Sequence, residues 1–201
     1  MEKQVIITVG RETGSGGYEI ARYLGEKLGI TVYDKNIFEG IGEKFNIDTS
    51  ALEKFDETPR KMGITRKVNG YSNSPEEQVV ELQRKFLQEK AEEGESFIVM
   101  GRAGIKTLLD FPCLLIRIFV TADEEFKIER LRMQSGFGKL QAQRYMVWND
   151  NKRRSYHNQF CHVKWGDPAS YDLIVKGNKM GLEATADMLA EYVRRRMELA
   201  E

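Results

Sequence analysis

Apolar residues follow two rhythms along this chain. Short dense runs occur at Gln4–Val9, Ile30–Tyr33, Phe97–Met100, Leu114–Val120 and Tyr171–Val175. They are rich in β-branched residues and do not alternate with polar ones, which predicts strands covered on both faces. Between them, spacing of three and four residues predicts helices. Ile20, Ala21, Leu24 and Leu28 form one stripe that ends at Gly29. Val79, Leu82, Phe86 and Leu87 form another, in a helix expected over Pro75–Glu93, with Ser74 before the proline and acids in the first turn. Shorter helices are expected at Asp34–Phe45 and Thr49–Phe55. A charged helix is expected over Asp123–Met133, capped by Thr121 or Asp123. Leu140 to about Gln159 is helical and basic in its middle. Gly181–Glu201 carries Leu182, Ala186, Leu189, Val193 and Met197 on one face. The stretch Glu57–Pro75 is polar and turn-rich and predicts a mobile loop, while Gln134–Lys139 is a glycine-containing break.

Strands that alternate with helices predict an α/β protein built on a parallel sheet with helices on both faces. The 201 residues suit one domain, over 1–201. Lysine plus arginine and aspartate plus glutamate both total 31. That balance argues against a protein that holds nucleic acid by bulk charge, and no nucleic-acid partner is expected. The apolar run near the N-terminus is too short for a secretory leader, and no run is long enough for a membrane span. Cys113 and Cys161 fit neither a disulfide scaffold nor a CxxC site. They read as reduced thiols of a cytoplasmic protein.

The chemistry begins in the loop after the first strand, Gly10-Arg11-Glu12-Thr13-Gly14-Ser15-Gly16-Gly17. Four glycines in eight residues, just before a helix, favour phosphate binding: glycines admit the phosphate, and the helix N-terminus offers free N–H groups and a positive dipole end. The loop is not a standard Walker A sequence. Arg11 stands at the first glycine position, Gly17 in place of the lysine, and Tyr18 in place of the hydroxyl residue that binds magnesium. Glu19 at the last position rules out the dinucleotide fingerprint.

Phosphoryl transfer needs positive charge over the transferred group, and arginine grips phosphate oxygens with two parallel bonds. Arg11, Arg102, Arg130, Arg153 and Arg154 are candidates. Arg102 follows the predicted strand Phe97–Met100, where open α/β sheets bind ligands. Arg130 and Arg132 belong either to a lid or to a solvated face paired with residues such as Glu129. Lys152-Arg153-Arg154 is either an exposed basic turn or a phosphate-binding segment. Either an arginine or Lys35 replaces the missing lysine, or turnover is weak or absent. Glu12 and Glu19 either help hold magnesium through water, or Glu12 pairs with an arginine and shapes the loop. His157, Cys161 and His162 match no common zinc spacing and read as ordinary lid or core residues. Ser15 lacks a histidine base.

The chain resembles the cytidylate-kinase-like family of P-loop proteins, divergent relatives of bacterial cytidylate kinase. The likeness rests on Ile6 through Ala21, Tyr33-Asp34-Lys35, Val99-Met100-Gly101-Arg102, Lys164 through Pro168 and Tyr171-Asp172-Leu173. It implies a three-layer P-loop nucleotide-kinase-like fold on a mostly parallel five-stranded sheet. It further implies an acceptor-binding helical insert at about 35–93 and a lid at about 134–165. The implied ligands are ATP with Mg²⁺ and a small acceptor, CMP or a related nucleotide. Arg11, Thr13, Gly14, Ser15, Gly16, Gly17 and Tyr18 would bind the nucleotide phosphates. Asp34 and Arg102 would position the acceptor, and Arg153 and Arg154 would close from the lid. The family usually carries arginine where this chain has Tyr18. The alternatives are a nucleotide-binding module with little turnover and a kinase of a non-nucleotide acceptor.

Overall fold

The dense apolar runs form the centre of the molecule. The computed structural model describes residues 4–60, 67–68, 71–72, 74–161 and 163–200. Its main sheet comprises β1 (Val5–Arg11), β2 (Thr31–Tyr33), β5 (Phe97–Met100), β6 (Leu114–Thr121) and β7 (Leu173–Lys176). Lys67–Val68 (β3) and Tyr71–Ser72 (β4) pair separately as an antiparallel hairpin. The five strands lie in the order β2-β5-β1-β6-β7, and every pairing is parallel. Ile7 sits between Ile98 of β5 and Ile116 of β6, all three fully buried.

Successive strand residues point to opposite faces, so each strand serves two cores. Val5, Ile7 and Val9 join Leu114, Ile116, Ile118 and Val120 beneath α1 (Gly17–Leu28) and α7 (Leu182–Glu198). Ile6, Phe97 and Val99 meet α2 (Ile37–Phe45), α3 (Pro75–Glu92) and α4 (Gly104–Leu108) on the other face. That is the three-layer arrangement expected of strands without alternation. A smaller core of Ile128, Leu131, Ala142 and Met146 joins α5 (Glu124–Ser135) to the long α6 (Lys139–Phe160). Among the described residues, no helix is long and apolar enough to cross a membrane.

Local chemistry sets most boundaries. The Ser74 side chain accepts the Glu77 N–H at the start of α3, with Pro75 at the first helical position. Gly29 ends α1 with φ 67°, and its N–H reaches the Gly25 carbonyl. The structure adds the short helix α4, which no sequence pattern marked, and departs from expectation in three further places. Thr49–Phe55 contains only a 3₁₀ turn at Glu53–Phe55, closed by bonds from Leu52 N to Thr49 O and from Phe55 N to Leu52 O. So short a segment closes three-residue turns in place of α turns. Asp123 precedes α5, but its side chain does not cap the helix. Its carboxylate instead takes Lys176, Lys179 and Asn178. Third, the loop expected over 57–75 starts with an ordered residue, Glu57, and holds the small hairpin. The rest of that expectation, at 61–66, 69–70 and 73, lies outside the described residues.

Candidate functional site

Parallel strands deliver their C-terminal ends to one edge of the sheet, and the charged residues collect there. A cleft of about 590 Å³ opens at that edge. Its walls come from the β1–α1 loop, from Asp34 and Lys35 after β2, from Arg102 after β5, from the 53–57 segment, and from α5 and α6. The volume falls within the range of small-molecule sites.

The loop is shaped by glycine at two points. Gly14 and Gly16 hold φ of 79° and 81°, and a Cβ on Gly14 would lie 2.7 Å from the Lys127 carbonyl oxygen. Gly14, Gly16 and Gly17 line the cleft, at the start of α1. Thr13 is the contact point with α6. Its N–H and its hydroxyl both donate to Asp150 Oδ1 at 2.7 Å, and the same hydroxyl oxygen accepts from Asn149 Nδ2 at 3.0 Å and from an Arg153 terminal nitrogen at 3.1 Å. One donor and two lone pairs are thereby all used. Burial lifts the Asp150 carboxyl above its ordinary value despite the Thr13 bonds that oppose the rise. Replacing Asp150 with alanine removes charge-assisted bonds and leaves the Thr13 amide without its partner. A loss of about 1–3 kcal/mol is expected, with faster hydrogen exchange at Thr13. Unchanged exchange there would show that α6 does not hold the loop.

The cleft floor is a network of arginines and carboxylates. Arg102 is 1% exposed and is held left-handed at φ 49°. It donates to Asp34, to the Met100 carbonyl at 2.7 Å, and through Nε and a terminal nitrogen to Asp56 at 3.3 and 2.7 Å. Arg11 grips Glu57 with two bonds of 2.7 and 2.9 Å and lies 3.9 Å from Asp34. Gln83, fully buried beneath, donates to Asp56 at 2.9 Å. Burial alone would raise the Glu57 carboxyl, but Arg11, Arg102 and Arg153 hold it well below the usual carboxylate range. Burial opposes the Arg102 charge, yet Asp56, Glu57 and Asp34 raise its affinity for the proton. Arg153 is lowered to about 10 by burial and by the neighbouring Arg11, and so remains a cation at neutral pH.

Most of the expected site residues meet in this cleft. Arg11, Thr13, Gly14, Gly16, Gly17, Tyr18, Asp34, Arg102 and Arg153 all line it. Ser15 lies fully buried under the loop, where its hydroxyl donates to the Glu12 carbonyl. Arg154 is turned away. It is exposed, bonds Asn151 and stacks on Trp165 at 5.1 Å. Arg130 lines the cleft paired with Glu19, whereas Arg132 is paired outside with Glu129. Asp56, Glu57, Asn149 and Asp150 are functional candidates that no sequence pattern marked. The two acids opening a turn-rich stretch look like any solvated pair, and Asp150 stands 137 positions from its partner.

Glu12 accepts from Lys127 at 2.7 Å and from Thr121. Among the described residues no group of three or more His, Cys, Asp or Glu side chains is placed to hold a metal ion. The carboxylates beside the loop, Glu12 and Asp150, are already bonded. That donor set fits a magnesium ion carried on nucleotide phosphates and held through water, not a protein cage. His157 is buried, its Nε2 has no hydrogen-bond partner among the described residues, and burial lowers it to about 4. A base whose folded value lies below its unfolded one stabilises fully above about pH 6.5, and this contribution is lost as pH falls toward 4. The melting temperature is therefore expected to fall more steeply between pH 6.5 and 4 in the native protein than in His157→Gln. Parallel profiles would contradict this. Burial shifts Cys161 the opposite way, up to about 11, because its charged form is the thiolate.

A glycine loop running from the central strand into a helix, beneath a cleft lined with arginines, defines this molecule as a P-loop protein of kinase-like fold. The chain belongs to the cytidylate kinase-like family, whose model matches residues 6–179. No curated protein matches it. An uncharacterized protein from Eubacterium ventriosum has a similar structure, with a TM-score of 0.74, 29% identity, and coverage of 95% of this chain and 99% of that one. Shikimate kinase from Bacteroides thetaiotaomicron shares the fold at TM-score 0.55 and 16% identity, covering 94% of this chain and 98% of its own. So does the Mycobacterium tuberculosis APS kinase, solved with AMPPNP and APS, at TM-score 0.53 and 13% identity, covering 96% and 99%.

Proposed function

We propose that the protein is a phosphotransferase that moves the γ-phosphoryl group of ATP to CMP or a related small acceptor. The observation that carries this reading is the convergence of the glycine loop, the Arg102–Asp34 pair and Arg153 on one cleft. In the proposed reaction the bond from Pγ to the β-bridging oxygen breaks and a bond from Pγ to the acceptor oxygen forms, leaving ADP. Gly14 to Gly17 would hold the donor phosphates, with Arg11, Thr13 and Tyr18 beside them. Asp34 and Arg102 would set the acceptor in line. Arg153, from a lid at about 134–165, would lie over the transferred group, and the 35–93 insert would form the acceptor wall. Magnesium would neutralise phosphate charge when it enters with the nucleotide. Fixed positive charge in a cleft that excludes water is the main protein contribution to such a transfer.

A second reading, a kinase for a non-nucleotide acceptor bearing a hydroxyl group, is favoured by one observation. The fork of Arg102, on the acceptor side, is already filled by Asp34 and Asp56. A phosphate-bearing acceptor must displace one of those carboxylates, whereas a hydroxyl acceptor need not. A third reading, a nucleotide-binding module with little turnover, follows from Gly17 in the lysine position. Calorimetric titration separates the first two. On the leading reading CMP binds saturably to protein already filled with AMPPNP and magnesium, and shikimate does not. Failure of every nucleoside monophosphate to bind there would contradict it.

A further inference from the structure

A standard phosphate loop places a lysine where this chain has Gly17. The geometry points to Arg11 as the cation that replaces it, entering from the strand end through space that the absence of a side chain at position 17 creates. This rests on the reading of the cleft as a phosphate site.

Gly17 is not simply a missing lysine. A Cβ built there would lie 2.6 Å from Arg11 Cβ and 3.2 Å from Arg11 Cγ. The near-backbone stem of Arg11 therefore occupies the room into which a side chain at 17 would leave the helix, and it cannot swing clear as a flexible tip could. A second glycine stands at the other end of the side chain. A Cβ on Gly101 would strike Glu57 Oε1 and come 2.5 Å from an Arg11 terminal nitrogen. Arg11 thus runs from one glycine to the other, 11% exposed, along the wall of the cleft.

What its guanidinium holds is equally specific. Glu57 fills the fork with two oxygens at 2.7 and 2.9 Å, the arrangement two phosphate oxygens would adopt. Glu57 is held at φ 45°, a left-handed conformation that a glutamate keeps only when its surroundings impose it. Glu57 is a stand-in anion that an incoming phosphate displaces. The other cations are placed differently. Arg102 is pinned by Asp34, Asp56 and a carbonyl, Arg130 is paired with Glu19, and Arg153 is engaged at Thr13 with its Nε 3.6 Å from Glu57, reaching that carboxylate from α6 and without the two-bond grip of Arg11.

The consequence is a reversal of the usual repair. If position 17 were only vacant, Gly17→Lys would strengthen phosphate binding. Here it collides with Arg11 unless Arg11 is removed as well. The test measures binding of AMPPNP with magnesium, and of adenosine, by calorimetry on the native protein, Arg11→Gly, Gly17→Lys and Arg11→Gly/Gly17→Lys, with thermal melting of each. Loss of the bidentate cation is expected to weaken AMPPNP about tenfold or more in Arg11→Gly, with adenosine unaffected. Gly17→Lys alone is expected to weaken AMPPNP and lower the melting temperature. The double variant is expected to bind more tightly than either single one. In Glu57→Gln, which leaves Arg11 and Gly17 in place, AMPPNP is expected to bind severalfold more tightly. Native affinity in Arg11→Gly, tighter binding in Gly17→Lys alone, a double variant no better than Arg11→Gly, or weaker binding in folded Glu57→Gln would overturn the inference while leaving the kinase reading intact. A native protein that binds no AMPPNP would overturn both.

Discussion

Arg102→Ala is expected to lose several kcal/mol of stability before any question of activity arises. Arg102 has 1% of its surface exposed and shares Asp34 and Asp56 between its donors. Alanine would leave Asp34 and Asp56, both part-buried, beside Glu57 without their principal cation. Removing one partner of a buried charge network typically costs about 3–5 kcal/mol, because the remaining charge keeps its desolvation penalty. It would also open a void the size of a guanidinium stem beneath the Arg102–Ala103 backbone, which is itself left-handed at both residues. The expected result in chemical denaturation is a midpoint shifted far downward with an unchanged slope. Arg102→Lys, which keeps a charge but not the fork, is expected to recover only part of that loss, since a point charge cannot bridge Asp34, Asp56 and the Met100 carbonyl together. An alanine variant as stable as the native protein would show that the floor network contributes nothing. It would leave Arg102 a purely ligand-binding residue.

Asp34→Asn separates activity from stability. The amide has nearly the shape of the carboxylate, and Arg102 retains Asp56 and the Met100 carbonyl. Melting is expected close to native. Turnover is expected to fall by about 10²–10⁴ if Asp34 accepts the proton of a hydroxyl acceptor, the usual worth of a positioned general base. If the acceptor attacks through a phosphate oxygen, no such base is needed, and the loss appears mainly as a raised KM for the acceptor. The kcat against KM split thereby distinguishes the two acceptor classes. Native kcat and native KM together would remove Asp34 from the site.

The elements legible in the sequence are those whose pattern is local. Dense runs such as FIVM and LLIRIFV became central strands, and the spacing of Ile20, Ala21, Leu24 and Leu28 with Gly29 gave α1 its face and its end. Arg102 was legible because it follows a strand of a parallel sheet, which sends its strand ends to one edge, together with the family resemblance, and Asp34 was legible through that resemblance. Illegible features depend on long-range contact. Thr13 and Asp150 meet only because α6 folds back over the loop. Asp56 and Glu57 look like solvent-facing acids until their arginines are known. Arg153 and Arg154 differ by one step of about 100° on a helix. With no strong apolar stripe in α6 to set its phase, nothing local told which of the two would enter the cleft. The crossing of Arg11 over Gly17 was hidden for the same reason: the loop pattern records a missing lysine, but not what fills its place.

The central claim is that this cleft transfers phosphoryl groups, and acceptor-dependent ADP formation tests it most directly. Purified protein with ATP and magnesium would be assayed against CMP, dCMP, UMP and shikimate, with Asp34→Asn alongside to exclude a contaminating kinase. The account predicts ADP release that requires one of these acceptors and, at acceptor concentrations below KM, falls in Asp34→Asn. ADP release that does not depend on an acceptor, or that is the same in both proteins, would contradict it.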